Sequence, residues 1–180
     1  MGLGHSRPAR DFGLTPPWPE PSFIAVGILR LSHIGVCVRE LEASLAFYRD
    51  LLGFEEISRL EVAGEAADQL LGLEGTELKA VYLERDGTRI ELLYYQRPGT
   101  TGDSLPRPMN ALGLTHLSLR VEDLAGMLDR LRSAGVKVLE DTYLDFPEFR
   151  SGAVFVTDPD GTRVELLESP TDPDSLPGVH

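Results

Sequence analysis

One octapeptide occurs twice, and it limits what this chain can fold into more than any other feature. Asp86-Gly87-Thr88-Arg89-Ile90-Glu91-Leu92-Leu93 recurs as Asp160-Gly161-Thr162-Arg163-Val164-Glu165-Leu166-Leu167, seven of the eight residues being identical. Each copy reads as a tight turn running into a strand, with a carboxylate in the middle of an apolar run. An unpaired charge there is costly, so Glu91 and Glu165 need compensation. Two histidines, His33 and His116, also interrupt apolar runs and follow the same repeat. The four side chains read as one metal site.

The repeat extends over most of the chain. An offset of 83 carries His33 onto His116, Val38 onto Val121, Leu41 onto Leu124 and Leu45 onto Leu128, and an offset of 74 carries Glu91 onto Glu165. The nine extra residues of the first half fall most naturally in the loop Val62 to Gly75. A strand is predicted over Ile28 to Val38, with Ile34, Val36 and Val38 on one face and His33, Gly35 and Cys37 on the other. Leu41, Leu45, Tyr48 and Leu52 keep helical spacing up to Gly53. Strands follow over Phe54 to Glu61, Glu77 to Glu84 and Thr88 to Tyr95, with a helical turn through Ala66 to Leu71. The second half repeats the order: a strand over Leu114 to Val121, a helix through Leu124, Leu128 and Leu131 that Gly135 ends, then strands over Val136 to Leu139, Gly152 to Thr157 and Thr162 to Ser169.

The fold class is therefore α+β: two tandem βαβββ modules forming a curved mixed sheet around a central metal cleft, each module needing the other to bury its open sheet. The expected division is a proline-rich extension over 1–27, a domain over 28–169 (module one 28–95, linker 96–110, module two 111–169) and a tail over 170–180. Trp18 and Phe23 are candidate anchors for the extension. Because flanking residues face the helices, alternation puts both histidines and both glutamates on the opposite, concave face of their strands.

Composition narrows the chemistry. A net charge of −12 argues against nucleic acid or an anionic membrane as partner. The longest apolar run, Phe23 to Leu31, is far short of a membrane span and is broken by Gly27 and Arg30. The start lacks the order of a secretory signal, although Gly2 to Ser6 fits a loose myristoylation pattern; the expected location is the cytoplasm. A single cysteine, Cys37, excludes an internal disulfide and a thiolate cluster, so a metal must use imidazole and carboxylate. That donor set suits one divalent ion, Zn, Ni, Co, Mn or Fe. Four protein ligands in an octahedral sphere leave two positions for water or substrate oxygens, an arrangement able to polarise a carbonyl.

The repeat and the motifs Leu31-Ser32-His33-Ile34-Gly35-Val36, Leu45-Ala46-Phe47-Tyr48-Arg49-Asp50-Leu51-Leu52-Gly53-Phe54, Leu114-Thr115-His116-Leu117-Ser118-Leu119 and Asp158-Pro159-Asp160-Gly161-Thr162-Arg163-Val164-Glu165 resemble the vicinal oxygen chelate superfamily. Its members include glyoxalase I, methylmalonyl-CoA epimerase, extradiol dioxygenases, and fosfomycin-resistance and bleomycin-binding proteins. The resemblance covers residues 28 to 169 and places His33, Glu91, His116 and Glu165 at the four metal positions. Such a set is similar to that of glyoxalase I and close to that of the epimerases, which commonly carry a second histidine where this chain has Thr115. In those relatives the glutamate matching Glu165, and in glyoxalase also that matching Glu91, takes part in proton transfer.

The resemblance thus implies a divalent-metal-dependent isomerase, epimerase or lyase that abstracts a proton next to the metal-held carbonyl of a small molecule. An iron-dependent dioxygenase and a non-catalytic binding or resistance protein are the alternatives. It also implies a homodimer. Ser118 and Arg120 share the face of His116, and Tyr95 and Leu93 share that of Glu91; Arg120, Ser118, Tyr95 and Phe149 are candidate substrate contacts. Glu140 to Ser151, with Tyr143, Phe146 and Phe149, is expected to be a loop acting as lid or pocket wall. Cys37 reads as a small core residue.

Overall fold

The computed structural model describes residues 27–174. The expectations for the extension, for Trp18 and Phe23, for the Gly2 pattern and for the last residues of the tail fall outside the described residues. The chain divides into Met1–Ser32 and His33–His180, and the site residues all belong to the second part.

Among the described residues, eight strands form two four-stranded sheets. Module one contains β1 (Ile34–Val38), α1 (Leu41–Leu45), β2 (Glu55–Ala63), α2 (Glu65–Leu71), β3 (Glu77–Arg85) and β4 (Thr88–Arg97). Module two contains β5 (His116–Val121), α3 (Leu124–Ser133), β6 (Lys137–Phe146), β7 (Ser151–Thr157) and β8 (Arg163–Glu168). The sheet orders are β1-β4-β3-β2 and β5-β8-β7-β6, and in each sheet only the first pair is parallel. The tandem α+β reading therefore holds, with α2 as the addition that lengthens the first half.

Alternation buries one face of each sheet. Val36, Val38, Ile90 and Leu92 of module one and Val154, Val156, Val164 and Leu166 of module two join Leu41, Leu45 and Tyr48 from the first helix and Leu124, Leu128 and Leu131 from α3 in one core. Each such side chain contributes about 1.5–3 kcal/mol by leaving water. Two ties cross between the modules. The Tyr48 hydroxyl, fully buried, donates to Asp158 Oδ2 at 2.9 Å, and the Arg39 backbone N–H donates to Asp160 Oδ2 at 2.9 Å. Asp158 Oδ1 also accepts the N–H groups of Asp160 and Thr162 at 2.9 and 2.7 Å, which fixes the connection between β7 and β8.

Three local expectations are revised. Residues 28–33 are not strand: β1 starts at Ile34, opposite Ile90, and since β4 begins at Thr88 the register leaves residues 28–31 with no strand to pair with. After Leu45 the helix widens into a π-helical stretch over Ala46–Leu51, in which the Leu52 N–H reaches Phe47 O at 3.0 Å. The expected lid over Glu140 to Ser151 is mostly strand, because β6 continues to Phe146 after an irregularity between Leu139 and Leu144. There the Thr142 hydroxyl donates to Leu139 O at 2.7 Å and accepts the Phe155 N–H at 3.0 Å, so a side chain occupies the gap in the ladder.

Candidate metal centre

Each glutamate sits at the middle of a row of side chains running across its sheet. Glu91 on β4 is in register with Gly35 on β1 and Tyr82 on β3; Glu165 on β8 is in register with Ser118 on β5 and Phe155 on β7. His33 stands one residue before β1 and His116 opens β5, so each imidazole lies beside its row. His33 meets Tyr82 edge-on with ring centroids 5.3 Å apart at 82°, and His116 meets Phe155 at 5.3 Å and 80°. The duplication is thus kept down to ring geometry.

Nε2 of His33 lies 3.1 Å from Glu91 Oε2, and Nε2 of His116 lies 3.7 Å from Glu165 Oε2. Two groups bound to one divalent ion at about 2.0–2.2 Å, at right-angled to tetrahedral spread, stand about 3.0–3.5 Å apart. The first pair has that spacing and the second is slightly wider. Imidazole with carboxylate, both partly open to solvent, is a donor set that fits the metals named above.

The four do not meet in one chain. Among the described residues no three His, Cys, Asp or Glu side chains are grouped closely enough to hold a cation. The shared core explains this: both sheets turn their apolar faces inward onto it, so the two ligand rows face away from it. The structure brings together His33 with Glu91 and His116 with Glu165, as two half-sites.

Tyr82 and Phe155 were not singled out in the sequence. Their signal is positional: both are aromatic, in equivalent strands, at an offset of 73 where the glutamates have 74. The hydrogen bond Tyr82 makes to Glu91, followed by burial and the charge of Glu91, pushes the phenol up to about 12. Module two has no phenol there; instead the Ser118 hydroxyl donates to Glu165 Oε2 at 2.6 Å.

The other expected contacts divide. Tyr95 stays near the first pair, its phenol raised by burial and then by the charges of Cys37 and Glu91. Arg120 borders the same cavity as His116 and Ser118, a space of about 600 Å³ also walled by Phe54 and Arg85. Its guanidinium, however, donates to Ser169 O and Thr171 O at 3.1 and 3.0 Å, so it anchors the segment after β8. Phe149 sits in a short 3₁₀ turn, Pro147–Phe149, and is 65% exposed. Cys37 is exposed, not a core residue, because it alternates with buried Val36 and Val38.

The model of the Glyoxalase/Bleomycin resistance protein/Dioxygenase superfamily matches residues 30–166. The chain belongs to that superfamily. Three similar proteins are matched along nearly their whole lengths. The YaeR protein of Escherichia coli strain K12 is 32% identical over 143 residues, covering 79% of this chain and 98% of that one. A Synechocystis protein described as a probable lactoylglutathione lyase is 29% identical over 140 residues, 77% of this chain and 95% of the other. The structure of a glyoxalase family protein from Bacillus cereus superposes with a TM-score of 0.70 at 23% identity, covering 81% of this chain and 98% of its own. At that identity the superposition speaks for the fold.

Proposed function

We propose that this glyoxalase-superfamily chain is a divalent-metal-dependent lyase or isomerase that moves a proton between neighbouring carbons beside a carbonyl, at a site completed by a second copy of the chain. The observation that carries the reading is the pair of His–Glu half-sites, one at ligand spacing and one slightly wider, on faces turned away from the core. Two copies related by a two-fold axis would set the first row of one against the second row of the other, and would do so twice. His33 and Glu91 of one copy, with His116 and Glu165 of the other, would then hold the ion. When bound, a divalent ion there supplies Lewis-acid polarisation of a carbonyl oxygen and lowers the acidity barrier at the adjacent C–H.

The chain's residues do the rest. Glu165, a quarter exposed, receives the carbon-bound proton on a carboxylate oxygen and returns it to the neighbouring carbon. The electron pair of the broken C–H bond moves into the carbon–carbon bond as the carbonyl π pair moves onto its oxygen. It then forms the new C–H bond while the hydroxyl oxygen of the first carbon becomes the carbonyl and its proton passes to the other oxygen. One carbon is thus oxidised as its neighbour is reduced, and no external oxidant is needed. The Ser118 hydroxyl fixes the carboxylate while it does this. The cavity beside His116 has room for a small substrate. The likeness to the Synechocystis protein supports, as the substrate class, the adduct of a thiol with a 2-oxoaldehyde.

Metal analysis of the purified protein, together with thioester formation from methylglyoxal and a thiol, tests the reading. Stoichiometric metal is expected, with loss of turnover on chelation and its return on adding metal. Glu165→Gln should lower kcat by about 10²–10⁴-fold. Turnover undiminished by chelation, or a protein that takes up no metal, would overturn it.

A further inference from the structure

The two half-sites differ in one correlated way. Row one reads Gly35–Glu91–Tyr82 and row two reads Ser118–Glu165–Phe155. Where module one has a phenol on the strand to one side of the glutamate, module two has a plain phenyl ring. Where module two has a serine on the strand to the other side, module one has glycine. Each carboxylate therefore has one hydroxyl-bearing neighbour in its row, from opposite flanks: Tyr82, directly across the ladder from Glu91, and Ser118, whose hydroxyl donates to Glu165 at 2.6 Å. The rest of the row is conserved between the halves, including the edge-on ring against each histidine.

We infer that Tyr82 and Ser118 are interchangeable positioning residues, each supplying the one hydroxyl that orients its glutamate to bind a divalent cation. The inference rests on the metal reading above. Its physical basis is that a carboxylate held by a fixed donor loses less rotamer freedom when it ligates, and removal of such a donor typically weakens metal affinity about 10–100-fold. Phe155 and Gly35 follow from the same logic, since a second hydroxyl in a row would compete for the oxygens the metal needs.

The test is a transplant. Metal-free full-length protein is titrated with Zn²⁺ or Mn²⁺ by calorimetry, with the melting temperature of the metal-free form recorded in parallel. Tyr82→Phe should weaken binding about 10–100-fold with little change in melting. Adding Gly35→Ser moves the module-two arrangement into module one and should restore affinity. Gly35→Ala in the same background supplies the Cβ without the hydroxyl and should not. The site admits this: Gly35 has an ordinary strand backbone, and a Cβ there meets only the end of the Leu93 side chain, at 3.2 Å. The converse pair, Ser118→Ala with and without Phe155→Tyr, should repeat the pattern in module two. Wild-type affinity in Tyr82→Phe, or rescue by alanine as good as by serine, would overturn this inference while leaving the metal reading standing. A wild-type protein that binds neither ion would overturn both.

Discussion

Tyr48 and Asp158 form a fully enclosed polar contact between the two modules, and their environment gives it measurable consequences. Removing the hydroxyl leaves a buried carboxylate oxygen short of a donor, so Tyr48→Phe should destabilise by about 1–3 kcal/mol in urea unfolding. Burial holds the Asp158 carboxyl above its ordinary 3.8, against the donors from Tyr48, Thr162 and Asp160 that pull it down. A carboxyl whose folded pKa exceeds its unfolded one binds protons more readily when folded, so its ionisation subtracts stability as pH rises from 3.8 through the folded value. Relative to Asp158→Asn, the wild type should therefore lose stability across that window and run parallel above it. Unfolding curves collected from pH 4 to 7 would show this, and a difference that stays constant would contradict it. At this scale His33, Glu91, His116 and Glu165 were legible because polar residues break apolar runs at a fixed repeat. Tyr82 and Phe155 were not, since an aromatic residue in a strand is the ordinary occupant of such a position. For Arg120 the sequence gives the face it shares with His116, but not the carbonyls of Ser169 and Thr171 that its guanidinium also holds.

Helix α3 shows how an element of this fold is held. Asp123 caps it, its carboxylate accepting the Gly126 N–H at 2.9 Å, and Leu124, Leu128 and Leu131 form its buried stripe. Asp123→Ala should cost about 0.5–2 kcal/mol. Leu128→Ala should cost about 2–5 kcal/mol, because the vacated volume lies inside the core that both modules share. On α2, Leu70 is 84% exposed, and its replacement by alanine should stay within about 0.5 kcal/mol. Thermal or urea unfolding of the three variants checks the ranking. The periodicity that reveals α3 reveals these differences too. Periodicity did not reveal the continuation of β6 through Tyr143 and Leu144, where acidic residues and a missing ladder bond imitate a loop. Nor did it reveal the widened helix after Leu45, since the apolar positions serve either winding.

At the scale of the whole molecule, alternation fixed which face each ligand occupies but not which way the two sheets turn relative to their shared core. That orientation decides whether four ligands close within one chain. The proposed pairing of copies has a distinctive signature. His33→Ala and His116→Ala should each be inactive alone, yet mixing them after partial unfolding and refolding should recover about a quarter of wild-type activity, because a mixed dimer carries one site with both lesions and one with none. Ligand sets completed within a chain would give no recovery. The linker carries a different consequence. Residues between Arg97 and His116 contribute no strand or helix, and Leu112 is 98% exposed. The halves they join share a core and the Tyr48–Asp158 and Arg39–Asp160 bonds, while the linker itself leans on the second half, Ser104 O lying 2.6 Å from where a Cβ of Gly161 would be. Covalent continuity is then only a source of local concentration. A chain cut at Leu112 should therefore stay assembled, with gel filtration after the cut as the check, and two fragments fused to interacting partners should serve as a split reporter whose signal is reconstitution of a buried seam.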